Sequence, residues 1–150
     1  MINNYIKMIS GMLRIPMPTV FYNDSALQPG QQAHLTPDGK QLYLRTLKSP
    51  SLDQLFSVCF ELRREWQRRT DNELYFGNFR SGAEIGLRDF SIQPSVVDCN
   101  AFAAVMIRAF FGVEPQFEGL PGVARSRIDN RIAEIRRNEF PQLANMKLPH

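Results

Sequence analysis

Apolar positions along the chain fall into stretches whose spacing assigns most of its elements. Ile2, Tyr5, Ile6, Ile9, Met12 and Leu13 recur at helical intervals, which lays one apolar stripe along a short helix. Gly11, then Pro16 and Pro18, end it. Thr19-Val20-Phe21-Tyr22 is a short β-prone run, closed by the turn chemistry of Asn23-Asp24-Ser25. Ala33-His34-Leu35 and Gln41-Leu42-Tyr43-Leu44 flank Thr36-Pro37-Asp38-Gly39-Lys40, and Asp-Gly between two such runs predicts a hairpin.

A longer helix opens at Lys48-Ser49-Pro50-Ser51-Leu52-Asp53. Ser49 or Ser51 caps it, and Asp53 stands in the first turn, where the helix dipole favours an anion. Leu52, Leu55, Phe56, Cys59, Leu62 and Trp66 mark its buried face, which runs to about Arg69. Residues 70–93 contain Gly77, Gly82 and Gly86 and read as a long connection with short irregular helices. Pro94 starts a second strong helix, Ser95 to Phe111, stopped by Gly112 and Pro115. Val96, Val97, Ala101 to Ile107 and Phe110 make it apolar on nearly every side, as a central core helix must be. A third helix, about Val123 to Asn138, carries Arg125, Arg127, Arg131, Arg136 and Arg137, and Pro141 limits it. The tail to His150 is a loose or docked arm. The pattern therefore predicts one α+β domain over residues 1–150, a small mostly antiparallel sheet packed on two central helices, with a C-terminal helix and tail from 113 to 150.

Composition adds little to that picture. Eleven phenylalanines supply enough area for a core without covalent staples. Two cysteines, Cys59 and Cys99, make no disulfide framework. The start of the chain is amphipathic rather than a charged head followed by an apolar run, and no apolar stretch approaches the roughly 20 residues of a bilayer span. The expectation is a cytoplasmic protein with free thiols and no membrane contact. A net charge of +3 fits ordinary solubility as well as it fits nucleic acid.

The candidate chemistry lies in Phe60-Glu61-Leu62-Arg63-Arg64. Zinc peptidases with the H-E-x-x-H pattern place two histidines on one helix face, with the glutamate between them polarising a zinc-bound water. Here the glutamate stands as Glu61, while Phe60 and Arg64 occupy the histidine positions. The longer string Phe60-Glu61-Leu62-Arg63-Arg64-Glu65-Trp66-Gln67 resembles the H-E-L-R-H-x-W-Q of ImmA/IrrE-like metallopeptidases of phages and mobile elements. It matches at Glu61, Leu62, Arg63, Trp66 and Gln67. A second block, Val96-Val97-Asp98-Cys99-Asn100-Ala101-Phe102-Ala103, resembles that family's E-x-D-A-N-A-F-A and matches at Asp98 and from Asn100 to Ala103. The family's glutamate ligand falls on Val96. The resemblance covers about residues 1–112 and implies a minimal zincin-like scaffold. Phe60 has no lone pair to give, Arg64 is a permanent cation and Val96 is apolar, so no metal or other cofactor is expected. The resemblance places Arg64 in the vacated site, paired with Glu61 or Asp98.

Cys59, Cys99, His34, His150, Asp98 and Glu61 make a poor zinc set, and buried cysteines ordinarily act as small apolar groups. There is no G-x-S-x-G, phosphate loop or dinucleotide fingerprint. Arg63, Arg64, Arg68 and Arg69, with Glu65 among them, read as the outer face of the glutamate helix, and Arg125, Arg127 and Arg131 add a second basic face. Tyr75, Phe76 and Phe79 beside Arg80 could rim a binding surface or anchor the connection. These features imply a non-catalytic accessory protein with a protein partner, phage or mobile-element encoded and acting in the host cytoplasm. An inhibitor of a host defence nuclease, such as an anti-CRISPR, is one example. The alternatives are a nucleic-acid-binding module using the arginine faces and a hydrolase with a rearranged site.

Overall fold

A computed structural model of the chain describes residues 2–70, 73 and 80–145. The order is α1 (Ile2–Leu13), β1 (Thr19–Tyr22), β2 (Ala33–Leu35), β3 (Gln41–Leu44), α2 (Leu52–Thr70), α3 (Gly82–Ser91), α4 (Pro94–Phe111) and α5 (Gly122–Glu134). A π-helical turn, Ile135–Glu139, extends α5, and a 3-10 turn, Pro141–Asn145, follows it. This is an α+β architecture.

The sheet has the order β1-β3-β2. β2 and β3 form the expected antiparallel hairpin, with His34 opposite Tyr43. β1 runs parallel to β3, with Phe21 opposite Tyr43, so the sheet is mixed rather than mostly antiparallel. The reason lies in the connection from Tyr22 to Ala33. It is long enough to carry the chain across β3 and bring β2 back on the far side, where a tight turn would have forced a second antiparallel pair.

α2 begins as its sequence dictates. The Ser51 hydroxyl accepts the Gln54 N–H at 3.1 Å, so Ser51 is the cap. The Gln54 side chain donates to the Arg45 carbonyl at 2.9 Å and ties the helix start to the end of β3. Leu55, Val58, Cys59 and Leu62 then bury one stripe. α4 is the core helix expected, with Ala101, Phe102, Ala103 and Met106 fully buried. By length and composition it could cross a membrane, but 78% of it is buried inside the protein. Gly112 ends it in the left-handed conformation, its N–H on the Arg108 carbonyl at 3.0 Å. α2 packs mainly on α4, β2 lies against α2, and α5 also packs on α4. Cys59 and Cys99 are both buried thiols, and Cys59 shares a hydrogen bond with the Tyr5 hydroxyl at 2.9 Å.

The segment read as a long connection contains α3, kinked at Gly86, whose φ is 81°. Arg80 is exposed, with its N–H and carbonyl both held by the Gln93 side chain. Tyr75, Phe76, Phe79 and Gly77 lie outside the described residues, as does His150.

The hairpin turn packs directly on α2. Gly39 has φ 75° and its N–H closes on the Thr36 carbonyl at 2.8 Å. A Cβ at Gly39 would collide with the Glu65 carboxylate. Gly39→Ala therefore adds a steric clash to left-handed strain, and it should destabilise the fold by more than about 1 kcal/mol. Urea unfolding checks this; an unchanged midpoint would contradict the described turn.

Candidate functional site

Past Leu62, α2 changes what it buries. Arg63, Glu65 and Gln67 are all buried, so the helix that opens on an apolar stripe ends on a polar one. Arg63 is fully buried. Its Nε donates to Asp98 Oδ2 at 2.7 Å and its Nη2 to Asp98 Oδ1 at 3.0 Å, a bidentate pair between α2 and α4. Nη2 also reaches Glu139 Oε1 at 3.0 Å. Gln67 Nε2 donates to Asp98 Oδ2 at 2.8 Å and to the Ser95 carbonyl at 3.0 Å. The Ser95 hydroxyl donates to Gln67 Oε1 at 2.7 Å and completes that side. Arg131 from α5 brings Nε to Asp98 Oδ1 at 2.8 Å and Nη2 to Glu139 Oε2 at 2.9 Å.

Two cations and two anions thus alternate in one cluster. Its faces are aromatic: the Arg63 guanidinium carbon lies 3.7 Å from the centre of the Trp66 ring and 5.0 Å from that of Phe102. The π turn makes Glu139 available. In a regular helix Glu139 would sit about 80° round from Arg131. The wider turn, closed by the Phe140 N–H on the Ile135 carbonyl, swings it back onto the same face. Burial alone would raise the Asp98 carboxyl. The hydrogen bonds and charge of Arg63, then Gln67 and Arg131, outweigh burial and hold it below the ordinary carboxylate value. Its contribution to stability is present above that ordinary value and is lost as pH falls through the lowered one.

A second group lies on the other flank of α2. Glu61 Oε1 accepts the Leu35 N–H at 3.1 Å, so the helix seals the free edge of β2. His34 Nδ1 lies 3.6 Å from the same oxygen. Glu61, Arg64, Glu65 and Arg68 face His34 and Thr36 across a small cavity of about 120 Å³. Glu65, nearly buried, is clasped by Arg68 and Arg69, the latter at 3.1 Å. The Glu61 hydrogen bond raises the His34 pKa above 6.5, against smaller opposing effects of burial and Arg64. Burial pushes the Cys59 thiol up to about 12 and the Cys99 thiol well above its usual range, which keeps both as neutral thiols.

Several expectations change. Arg63 and Glu65 do not lie on an outer face; both are inside, because their partners arrive from α4, the π turn and the neighbouring arginines. Arg131 is committed to Asp98 and Glu139, so the second basic face keeps Arg125 and Arg127 exposed, with Arg127 Nη1 on the Ile92 carbonyl at 3.0 Å. Arg64 lines the cleft beside Glu61, but among the described residues Asp98 is held by Arg63, Gln67 and Arg131 instead. His34, on β2, lies close to Glu61. Phe60 is half-buried and Val96 buried. Neither they nor Arg64 fit a zinc ion, and among the described residues no three His, Cys, Asp or Glu side chains converge as ligands. Sequence reasoning missed Glu139 and Ser95, whose roles depend on contacts 76 and 28 residues away in the chain.

Two measurements test this geometry. Arg63→Ala leaves the buried Asp98 with only Gln67 and Arg131 and empties the space of the guanidinium, and it should cost about 3–5 kcal/mol in urea unfolding. Arg63→Met with Asp98→Leu removes both charges and should recover part of that loss; a double variant no better than the single would refute the pairing. His34 should titrate above 6.5 by NMR, and Glu61→Gln should lower its midpoint. Because the folded value is raised, the stabilisation is full below 6.5 and disappears as pH rises through the raised value. An unmoved His34 midpoint in the variant would refute the pair.

Compared with protein-family models, curated proteins and solved structures, the chain matches none of them.

Proposed function

We propose that the chain is a catalytically inactive relative of ImmA/IrrE-like metallopeptidases, built on a zincin-like scaffold and acting as a binding or regulatory accessory protein. One observation carries the reading: five of the residues that make the resemblance, from both blocks, meet in one cluster. Arg63 and Gln67 from the first block hold Asp98 from the second, and Trp66 and Phe102 enclose the Arg63 guanidinium. Matches scattered by chance would have no reason to meet. The positions that depart, Phe60, Arg64 and Val96, are the ones that would have to bind metal. Retained fastening with discarded ligands is what a scaffold kept for its shape would look like.

On this reading Glu61 is no longer a catalytic base. It holds the edge of β2 and the His34 ring instead. A protein partner in the host cytoplasm follows from the family's phage and mobile-element setting, and inhibition of a host defence nuclease is one role of that kind. The arginines give a nucleic-acid partner less support, because so many of them are spent on internal carboxylates.

The test restores the ligands. Purified wild-type protein should carry only trace zinc by elemental analysis. The combined variant Phe60→His, Arg64→His and Val96→Glu should take up zinc stoichiometrically if α2 and α4 stand as they do in the peptidases. Stoichiometric zinc in the wild type would overturn the loss of the metal. A folded triple variant that binds none would overturn the scaffold relationship.

A further inference from the structure

The two edges of the sheet are treated differently. α2 lies along β2 and takes its Leu35 N–H on Glu61. β1 forms the other edge. The Thr19 and Asn23 N–H groups donate to the Lys40 and Leu44 carbonyls at 2.8 and 3.1 Å, so these residues spend their backbone on the β3 side. Strand alternation turns the N–H and C=O of Val20 and Tyr22 the opposite way. Among the described residues neither of those two N–H groups has an acceptor.

An open edge is a template for another strand, and folded proteins ordinarily guard one with a lysine or another charge. From Ile15 to Asn23 this chain carries no charged residue. Pro16 and Pro18 stand before the strand, so they shorten the open edge to Thr19–Tyr22 without blocking it. The large side chains on and beside it are exposed: Met17 is 42% accessible, Phe21 41% and Tyr22 56%. Phe21 and Tyr43 are opposite each other in register and face away from the buried Leu42 and Leu44. Their ring centres are 5.9 Å apart, so an aromatic row runs out to the rim of the sheet and ends at Phe21.

We propose that β1 is a self-association edge, through which two copies of this chain pair antiparallel about a two-fold axis at Phe21. Backbone alternation sets that register. Val20 and Tyr22 hold the free groups, so each Val20 pairs with the partner's Tyr22, the N–H of each donating to the carbonyl of the other. Phe21 then faces the partner's Phe21 in the close, non-hydrogen-bonded position, with Cα atoms about 4.5 Å apart. The aromatic row continues across the axis, and the exposed Tyr22 packs beside the partner's Val20 on the other face. Each copy has a net charge of +3, but none of that charge lies on the seam. A second copy suits this edge because an isologous contact supplies its own matching donors and acceptors. With β2 covered by α2, strand addition stops at two copies. The inference does not rest on the metallopeptidase reading.

Sedimentation equilibrium of the whole chain, from micromolar to millimolar concentration, should show monomer and dimer and no larger species. Phe21→Lys places two like charges at the axis and should weaken the dimer roughly tenfold or more, with an unchanged circular dichroism spectrum. Phe21→Cys brings two thiols within disulfide reach across the axis, and mild oxidation should trap a covalent dimer. Tyr22→Cys, offset along the strand from its symmetry mate, should trap far less. Cys59 and Cys99 are buried and do not compete. A wild-type chain that stays monomeric throughout would overturn the pairing and leave the edge to a strand of another protein. A dimer untouched by Phe21→Lys would place the contact elsewhere on the surface, and equal trapping by Tyr22→Cys would refute the register.

Discussion

A guanidinium stripped of water costs several kcal/mol unless its charge and its hydrogens are matched. The charge of Arg63 and its Nε and Nη2 hydrogens are matched, from three directions, while Nη1 is buried without a hydrogen-bond partner among the described residues. Asp98 comes from α4, Glu139 from the π turn after α5, and the Trp66 and Phe102 rings close the faces. Each partner is itself held: Asp98 by Gln67 and Arg131, Gln67 by Ser95. The apolar stripe Leu55–Leu62 would let α2 slide or rotate on α4 by small amounts. The bidentate pair does not, because both nitrogen–oxygen distances depend on one relative placement of the two helices. Apolar burial drives the association, and the ion cluster fixes its register.

That register sets the opposite flank of α2. With Arg63 and Gln67 turned inward toward α4, Glu61 and Glu65 are carried toward the hairpin. There Glu61 meets the Leu35 N–H and His34, and Glu65 meets the Gly39 turn. The sheet is therefore attached to the helices through polar contacts as well as through Leu42 and Leu44, both fully buried. A single helix thus joins the sheet to the helical layer, apolar at its start and ionic at its end.

The sequence displayed the elements because their causes are local. Ser51 before an apolar stripe, Asp-Gly between β-prone runs, and Pro94 with Gly112 around an apolar helix each act within a few residues. The parallel placement of β1 was hidden because it depends on where a loop crosses, which spacing does not encode. The arginines misled for a related reason. Helical periodicity puts Arg63 next to Leu62 and Trp66, and nothing nearby announces Asp98 or Glu139 as its partners. The π turn that delivers Glu139 has no local signature in Ile135-Arg136-Arg137-Asn138-Glu139. Arg63, Gln67 and Asp98 are among the positions of the two matching blocks, but nothing in those strings pairs them: there Arg63 reads as outward-facing and Arg64 as the partner of Glu61 or Asp98.

Both thiols are sealed in the layer that this cluster holds together. Cys59 sits on the Tyr5 hydroxyl and Cys99 is one position from Asp98, and neither reaches solvent. An alkylating reagent can act on them only when α2 and α4 part or the chain opens more widely, and burial suppresses the reactive thiolate in the closed state. The rate of labelling is therefore a clock for internal opening. With one thiol on each helix, Cys59 beside Tyr5 of α1 and Cys99 beside Asp98, it follows opening at two places in the core without any introduced probe.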